Sequence, residues 1–197
     1  MIITSGNISL RSIRKNDLEL VRKWRNDKNV NRFMDYRKLI DPDSQLIWFN
    51  NLDPGKDFYF LICDKEKPVG VLNLKNINWV ERTAEAGIFI GDASSQNTTI
   101  PVKATVLLMK TAFAWLRLKQ LYAKVSIENT VAIKMNEALG YSYIKELTRP
   151  FQQFLCTDDA FYGSPVYKTI GQASIQLSAS EKWMLGTVSR HPDFLVE

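Results

Sequence analysis

Histidine and cysteine are scarce in this 197-residue chain, and their scarcity excludes several kinds of catalytic site. The only histidine is His191, near the end of the sequence, so a histidine-centred triad or a multi-histidine metal site is not expected. The two cysteines, Cys63 and Cys156, are too few for a disulfide framework or a cysteine-based zinc site. We therefore expect no bound metal.

Long apolar runs and blocks of basic residues are also missing. No apolar run approaches the roughly 20 residues needed to cross a bilayer, and the first residues lack the pattern of a signal peptide. These absences predict a cytoplasmic protein with no membrane partner. The net charge of +5 suits an anionic small ligand. Since no Lys/Arg block interleaves with aromatic residues, no nucleic-acid partner is expected.

The length predicts one domain, residues 1–170, and an extension, residues 171–197, in which a short helix begins at Ser178. Hydrophobic periodicity predicts strands at 7–12, 57–64, 68–76, 83–91, 121–127, 141–148 and 162–169. Helices are predicted to start at a capping box of Asn16 with Glu19 and at Asp41-Pro42, and to cover 102–118 and 130–139, the last stopped by Gly140. A helix between the strands 83–91 and 121–127 indicates a parallel crossover inside a mixed sheet. The predicted fold class is therefore α/β (α+β mixed).

The stretch from residue 85 to residue 141 carries the strongest motif. It contains Glu85-Ala-Gly-Ile-Phe-Ile-Gly-Asp92, the apolar helix, the strand 121–127, and Asn129 running to Glu137-Ala-Leu-Gly140-Tyr141. This order resembles the acetyl-CoA-binding core of the GNAT superfamily of N-acetyltransferases. The resemblance implies a central, mostly antiparallel sheet with one splayed parallel strand pair, flanked by helices. It also implies acetyl-CoA as co-substrate, with no metal.

The loop at residues 96–101 departs from the family pattern Gln/Arg-x-x-Gly-x-Gly/Ala. Gln96 is kept, but Thr99 and Pro101 replace the small residues, and Pro101 has no amide to offer a phosphate. Two interpretations stay open: a variant phosphate loop with fewer amide and more hydroxyl donors, or a loop that binds CoA poorly. We favour the first, because the rest of the core is intact.

The resemblance assigns cofactor contacts to backbone amides of one strand, to this loop and to the segment after the second parallel strand. The residues assigned to CoA are Phe89, Ile90, Gln96, Asn97, Thr98, Thr99, Ile100, Val102, Asn129 and Asn136. Asn129 also suits a helix N-cap. Asn136 stands where the family often has a tyrosine acid, so water, bulk solvent or another tyrosine such as Tyr122 or Tyr141 would protonate the thiolate.

The resemblance makes Glu85 the general base, acting on the amine directly or through water. The alternative is a strand glutamate that faces solvent or pairs with an arginine. Neither cysteine falls within the motif, so we expect direct attack of the amine rather than a covalent acyl-enzyme.

The segments Trp24-Arg25-Asn26-Asp27 and Gln45-x-x-Trp48-Phe49 resemble acceptor-side segments of the GNAT branch that acetylates amino sugars, including nucleotide-linked sugars of pseudaminic acid synthesis. The resemblance assigns substrate binding to Arg25, Asn26, Trp48 and Phe49, with Arg25 on a phosphate. The alternatives are a solvated arginine and core aromatics. We predict that the acceptor is the amine of an amino sugar, carried on a nucleotide.

Two other functions stay open on the sequence alone. One is acetylation of a protein N-terminus, as in the ribosomal-protein branch of the family, which would need an open groove. The other is a non-catalytic GNAT-like binding module, suggested by Thr99, Pro101 and the missing tyrosine at 136. The extension at 171–197 is a possible homodimer element.

Overall fold

The computed structural model describes residues 1–177, and the helix predicted at Ser178 lies outside them. Within residues 1–177, nine strands form one sheet. They are β1 Ile2–Ser5, β2 Ile8–Ser12, β3 Phe58–Asp64, β4 Lys67–Asn78, β5 Thr83–Ile90, β6 Gln120–Ser126, β7 Ser142–Glu146, β8 Phe151–Thr157 and β9 Gln176–Leu177. The helices are α1 Leu18–Asn26, α2 Lys28–Asn31, α3 Pro42–Asn50, α4 Ile100–Lys110, α5 Thr130–Ala138, α6 Asp158–Gly163 and α7 Pro165–Ile170.

The strand order is β7-β8-β6-β5-β4-β3-β2-β1-β9, and β5 with β6 is the parallel pair. These two strands pair only from Thr83 with Gln120 to Glu85 with Tyr122. Beyond Glu85 they diverge, which leaves one edge of each strand without a partner strand. The mixed, mostly antiparallel sheet and its splayed parallel pair confirm the predicted fold.

Helices cover both faces of the sheet because β3, β4 and β5 place apolar side chains on alternating sides. On one face, Leu61 and Val71 pack with Leu18 and Val21 of α1. On the other face, apolar strand residues pack against α4; they include Phe60, Ile62, Leu72 and Leu74. We call these the α1 face and the α4 face.

Local signals explain several helix boundaries. Asp41 caps α3 by accepting a hydrogen bond from the Ser44 amide, as predicted. Asn129 caps α5 through the Ala132 amide. After α5 the chain turns at Gly140, whose φ is +96°, and a Cβ there would lie 2.5 Å from the Ala160 carbonyl oxygen. Glycine is therefore required at that turn both by its conformation and by space.

The predicted capping box at Asn16 and Glu19 is wrong. A 3₁₀ turn, Lys15–Asp17, precedes α1, and the Asp17 carboxylate accepts the hydrogen bond of the Arg14 amide. Glu19 cannot fold back, because both of its oxygens bind the Arg22 guanidinium at 2.8 and 2.9 Å. The α4 prediction, 102–118, is two residues late, and the helix gives way to a π-helical turn over Thr111–Trp115.

The strand predicted at 162–169 is also wrong, since those residues lie in α6 and α7. Thr157 and Ser164 cap the two helices through the amides of Ala160 and Tyr167, and Pro165 begins α7. The last long strand is instead β8, which pairs with both β6 and β7. The sequence analysis also missed β1, which pairs antiparallel with β2.

The sheet continues past the predicted domain boundary at residue 170. The short strand β9 adds to the free edge of β1, through Ile3 with Leu177 and Thr4 with Gln176. The Lys110 ammonium holds the preceding segment by donating to the carbonyls of Gly171 and Ala173, at 2.6 and 2.8 Å. Within residues 1–177, no helix has the length and apolar content to span a bilayer.

Candidate active site

The gap between β5 and β6 opens into a cavity of about 390 Å³ that passes through the sheet. Residues 86–89 of β5 and 123–126 of β6 line its middle. Ala86 and Ile88 belong to the α4 face, whereas Phe89 belongs to the α1 face. One cavity therefore joins a compartment on each face of the sheet.

Glu85 lies on the α1 face, at the last point where β5 pairs with β6. Its carboxylate lies 2.8 Å from the ammonium of Lys75, the residue opposite it on β4, and the Glu85 side chain is 29% exposed. The partner is therefore a lysine, not an arginine. A carboxylate in this position can accept a proton from a group bound in the cavity, directly or through one water.

Arg25, in the last turn of α1, points its guanidinium toward the same compartment. One terminal nitrogen donates to the Tyr36 carbonyl at 3.2 Å. Its Nε is buried and has no hydrogen-bond partner within residues 1–177, and no carboxylate there forms an ion pair with it. Burial lowers the pKa of Arg25, which indicates a cation held without a matching anion.

Three residues on neighbouring strands form a cross-strand row beside Arg25. Tyr59 of β3 lies opposite Asn73 of β4, which lies opposite Gly87 of β5. The Nδ2 of Asn73 is buried and, in the described part of the chain, also lacks a hydrogen-bond partner. Burial, aided by the charges of Asp57 and Glu85, raises the pKa of Tyr59 to about 12, so its hydroxyl stays protonated at neutral pH.

We call Arg25, Tyr59, Asn73, Lys75 and Glu85 the polar wall. Facing it, Lys124 of β6 forms an ion pair of 2.7 Å with Asp35 and lies 4.7 Å from the centre of the Phe151 ring. This pair ties the segment 33–36, which lines the cavity, to β6. The cavity is lined by three cationic side chains and two carboxylates, so it carries an excess of positive charge.

The compartment on the α4 face is more apolar. Leu108 of α4 and Met135 of α5 line it, together with the side chains of Asn129, Asn136 and Tyr141. Asn136 and Tyr141 are buried, at 8% and 4% exposure. Burial raises the pKa of Tyr141 well above its ordinary value, so this phenol stays protonated at neutral pH and is a weak acid.

The loop 92–101, between β5 and α4, satisfies its own side chains. Asp92 accepts hydrogen bonds from Lys67, Ser94 and Ser95, and these hold its pKa well below the usual range. The Gln96 amide group donates to the Ile90 carbonyl at 3.2 Å, and the Thr98 hydroxyl donates to the Ser95 carbonyl at 2.8 Å. These bonds fix the loop between the strand and the helix.

The same loop leaves backbone donors free. Within the described chain, the amides of Asn97, Thr98 and Thr99 donate no hydrogen bond. They lie just before the first turn of α4, where free amides and the helix dipole favour an anion. The four non-glycine residues with positive φ in the described chain all lie elsewhere, so the loop conformation does not require glycine at 99 or 101. They are Lys65, Asn76, Arg82 and Arg117.

Comparison with known proteins decides the family. The family model for an acetyltransferase (GNAT) domain matches residues 7–142. The chain belongs to the GNAT family. It is an acetyl-CoA-dependent N-acetyltransferase, which sets aside the non-catalytic alternative.

Three proteins similar to this chain are two curated relatives and one solved structure. Spermidine N(1)-acetyltransferase of Escherichia coli K12 is 30% identical over 154 residues, which cover 75% of this chain and 80% of that protein. Acetyltransferase PseH of Campylobacter jejuni strain 81-176 is 30% identical over 132 residues, 66% of this chain and 80% of its own. The crystal structure of Vibrio cholerae spermidine N-acetyltransferase with CoA and spermine has a TM-score of 0.70 and 19% identity, covering 80% of this chain and 99% of that one.

The residues of this GNAT protein fit acetyl-CoA. The unpaired edge of β5 beyond Glu85 offers backbone groups to an extended arm. The free amides of the loop 92–101 offer donors to a pyrophosphate. Within residues 1–177, no group of three or more His, Cys, Asp or Glu side chains is placed to hold a metal ion.

The structure brings some of the predicted site residues together and separates others. Those that line the cavity through the sheet are Arg25, Glu85, Phe89, Asn129 and Asn136. Thr99 and Ile100 instead line a second cavity of about 510 Å³ beside α4. Four other predicted cofactor residues, Ile90, Gln96, Asn97 and Thr98, line neither cavity, and Val102 lies in the first turn of α4.

Three predicted acceptor residues also lie outside both cavities. Trp48 contacts the Tyr59 ring edge-on, with centroids 4.9 Å apart, and Phe49 packs against the apolar cluster of the α1 face. Asn26 exchanges two hydrogen bonds with the backbone of Ile40, at 2.8 and 2.9 Å. Trp48 therefore supports the polar wall through its contact with Tyr59.

Polar residues of the cavity that the sequence analysis missed include Tyr59, Asn73, Lys75 and Lys124. The sequence did carry a signal for Asn73 and Lys75. They alternate with the buried Leu72 and Leu74, so polar side chains occur on one face of an otherwise apolar strand. Tyr59 and Lys124 gave no such signal. Tyr59 sits between two phenylalanines, and Lys124 is placed by a contact with Asp35, 89 positions away.

Proposed function

We propose that this acetyltransferase moves the acetyl group of acetyl-CoA to the amine of an amino sugar carried on a nucleotide. The observation that carries the proposal is the position of Arg25. Its guanidinium is partly buried, has no carboxylate partner in the described chain, and faces the same compartment as Glu85. A phosphate of the acceptor would supply the missing anion, and a planar fork suits that geometry.

The cofactor side of the proposal rests on backbone groups and a few side chains. The pantetheine arm would pair with the free edge of β5 near Phe89 and Ile90, and Asn129 and Asn136 would contact it from α5. The pyrophosphate would lie at the start of α4, on the amides of residues 97–99, with Gln96, Ile100 and Val102 around it. The Thr99 hydroxyl would add a further donor, whereas the Thr98 hydroxyl already bonds the Ser95 carbonyl and the Ile100 amide.

Acetyl-CoA supplies the acetyl group as a thioester when it is bound. Glu85 accepts the proton of the attacking amine, directly or through one water, and Lys75 holds its carboxylate in place. The amide groups near Phe89 stabilise negative charge that develops on the carbonyl oxygen. The leaving thiolate takes its proton from water or bulk solvent, because burial raises the pKa of Tyr141 and makes that phenol a weak acid.

Acetylation of spermidine is the second candidate, because the Escherichia coli relative is a spermidine acetyltransferase. The charge of the cavity argues against it. A polyamine needs several carboxylates, whereas this cavity is lined by Arg25, Lys75 and Lys124 against Asp35 and Glu85. Acetylation of a protein N-terminus is a third candidate, and no contact in the described residues specifically favours it.

The test is a comparison of acceptors with the wild-type protein. Release of the CoA thiol is measured with UDP-linked amino hexoses bearing the amine at C2, C3 or C4, with spermidine, and with a peptide that has a free N-terminus. We expect kcat/KM for one UDP-linked sugar to exceed the others by at least about tenfold. A preference for spermidine or the peptide would overturn the amino-sugar proposal, and so would an absence of turnover with every sugar.

A further inference from the structure

The cavity contains a second buried donor that the proposed reaction does not use. The Nδ2 of Asn73 has no hydrogen-bond partner in the described chain, although Asn73 lies in the middle of the sheet between Tyr59 and Gly87. Buried side-chain donors nearly always have a partner, because an unmade hydrogen bond is costly. Arg25 Nε is the other such atom found among residues 1–177, and both residues line the same cavity.

Gly87 keeps the space in front of Asn73 open. A Cβ at position 87 would lie 2.9 Å from the Asn73 Oδ1, closer than normal contacts allow. Gly87 lies within β5 and its φ is not in the left-handed region, so the backbone does not demand glycine there. A side chain at position 87 would therefore displace the Asn73 amide group. Glycine leaves the backbone of β5 uncovered beside that group.

The register of β4 and β5 places this uncovered backbone beside the general base. Asn73 lies opposite Gly87, and Lys75 lies opposite Glu85. Residues two apart on a strand point to the same face and are separated by roughly 7 Å. A sugar ring bound over Gly87 could therefore place a neighbouring amine beside the Glu85 carboxylate.

We propose that Asn73 and Gly87 form a specificity pocket that reads an oxygen atom on the acceptor, close to the amine that is acetylated. Asn73 donates to this oxygen, and Gly87 leaves the space for the ring that carries it. The inference rests on the proposed amine acetylation but goes beyond it, because it names the acceptor class as a hydroxylated or carbonyl-bearing amine. A polyamine carries no oxygen and would leave the Asn73 donor unpaired.

A matched pair of simple amines tests the pocket without the nucleotide. The probes are trans-2-aminocyclohexanol, which has a hydroxyl beside the amine, and cyclohexylamine, which lacks it. We expect the wild type to prefer the amino alcohol by about tenfold or more in kcat/KM, since an unpaired buried donor penalises the analogue. In Asn73→Leu and Asn73→Asp, which remove the donor, this preference should fall to about one.

The same variants are assayed with the best UDP-linked amino sugar, for which kcat/KM should fall at least about tenfold. Asn76→Asp is the control, because Asn76 lies on the same strand and is exposed outside the cavity. Calorimetric affinity for acetyl-CoA should be unchanged in the Asn73 and Asn76 variants, which shows that they are folded. Gly87→Ala should reduce turnover of the ring amines, because its Cβ would displace the Asn73 side chain.

The outcomes separate this inference from the function it rests on. If the wild type acetylates amines but Asn73 variants keep both the preference and the activity on the sugar, the pocket is overturned while the acetyltransferase proposal stands. If the wild type acetylates neither the cyclohexyl probes nor any UDP-linked amino sugar, the amino-sugar proposal fails and the pocket fails with it. Equal turnover of the two cyclohexyl probes by the wild type also overturns the pocket.

Discussion

The polar wall and the loop 92–101 offer opposite kinds of groups to a ligand. In the wall, side chains such as Arg25 and Asn73 carry buried donors without partners in the described chain. In the loop, the side chains of Asp92, Gln96 and Thr98 bond within the protein, and backbone amides are left free. In the function we propose, acceptor choice therefore depends on side chains, whereas cofactor binding depends mainly on backbone amides.

This difference explains how a loop without the usual glycines can still offer backbone amides to a phosphate. Backbone amides are present whatever the side chains are, provided the chain can adopt the conformation. Residues 92–101 adopt it without positive φ, and Pro101 lies in the first turn of α4, where its missing amide removes no intrahelical hydrogen bond. By the same reasoning, removing a charged group or an unpartnered donor from the polar wall should change activity more than substitutions in the loop.

The largest expected effect is that of Glu85→Gln, which removes the base from the wall. The amide keeps the size of the side chain but cannot accept the amine proton, so kcat should fall by about 100-fold or more. Acetyl-CoA affinity, measured by calorimetry, should change less than about twofold. Unchanged kcat would remove Glu85 as the base. Glu81→Gln, on the exposed turn before β5, is the matched control.

Arg25→Leu should have the next largest effect. Loss of the charge-assisted contact to an acceptor phosphate should lower kcat/KM for a UDP-linked amino sugar by about 10- to 100-fold. The loss should be much smaller for the same sugar without the nucleotide. Equal losses for the two acceptors would contradict a phosphate contact.

Lys23→Leu is the control for Arg25→Leu. It removes the same charge from the same helix, but Lys23 is exposed and lies outside the cavity. Its effect on kcat/KM should be slight, so any general loss of positive charge near α1 is separated from the specific role of Arg25.

The two regions also differ in how far the sequence predicted them. The segment 85–141 carries local signals, so the parallel crossover, the cap at Asn129 and the turn at Gly140 were predicted correctly. The wall is assembled from α1, β3, β4 and β5, and no local pattern shows that Arg25 lies without a carboxylate or that Tyr59 adjoins Asn73. Strand register and long-range packing decide those contacts.

The error at 162–169 has a different cause. Aromatic and β-branched residues there suggest a strand, but Ser164-Pro165 is a helix-start signal, and Ser164 does cap α7. Capping at two successive helix starts outweighed the intrinsic preference of the residues between them. The true strand, β8, was overlooked because its pattern is broken by the paired Gln152 and Gln153.

In the loop, a smaller effect is expected from Thr99→Val. The Thr99 hydroxyl makes no hydrogen bond within the described chain and can replace the amide that Pro101 lacks. Removing it should weaken acetyl-CoA binding by about tenfold at most, as measured by calorimetry. Thr98→Val is the comparison, because that hydroxyl already bonds the Ser95 carbonyl and the Ile100 amide. No change with Thr99→Val would show that the amides alone hold the pyrophosphate.

The smallest effect on activity is expected from Tyr59→Phe. The Tyr59 hydroxyl is uncharged at neutral pH, so the substitution removes no charge from the cavity. Its influence is on stability at high pH. The folded pKa of about 12 lies above the ordinary value of 10, so the folded state holds this proton more tightly than the unfolded state. The contribution of Tyr59 is therefore complete below pH 10 and is lost as the pH rises from 10 to 12. At pH 11 the loss is about 1 kcal/mol, so urea unfolding should show Tyr59→Phe gaining by that amount relative to wild type between pH 8 and pH 11. The same stability difference at both pH values would mean that the Tyr59 phenol is not desolvated by the wall.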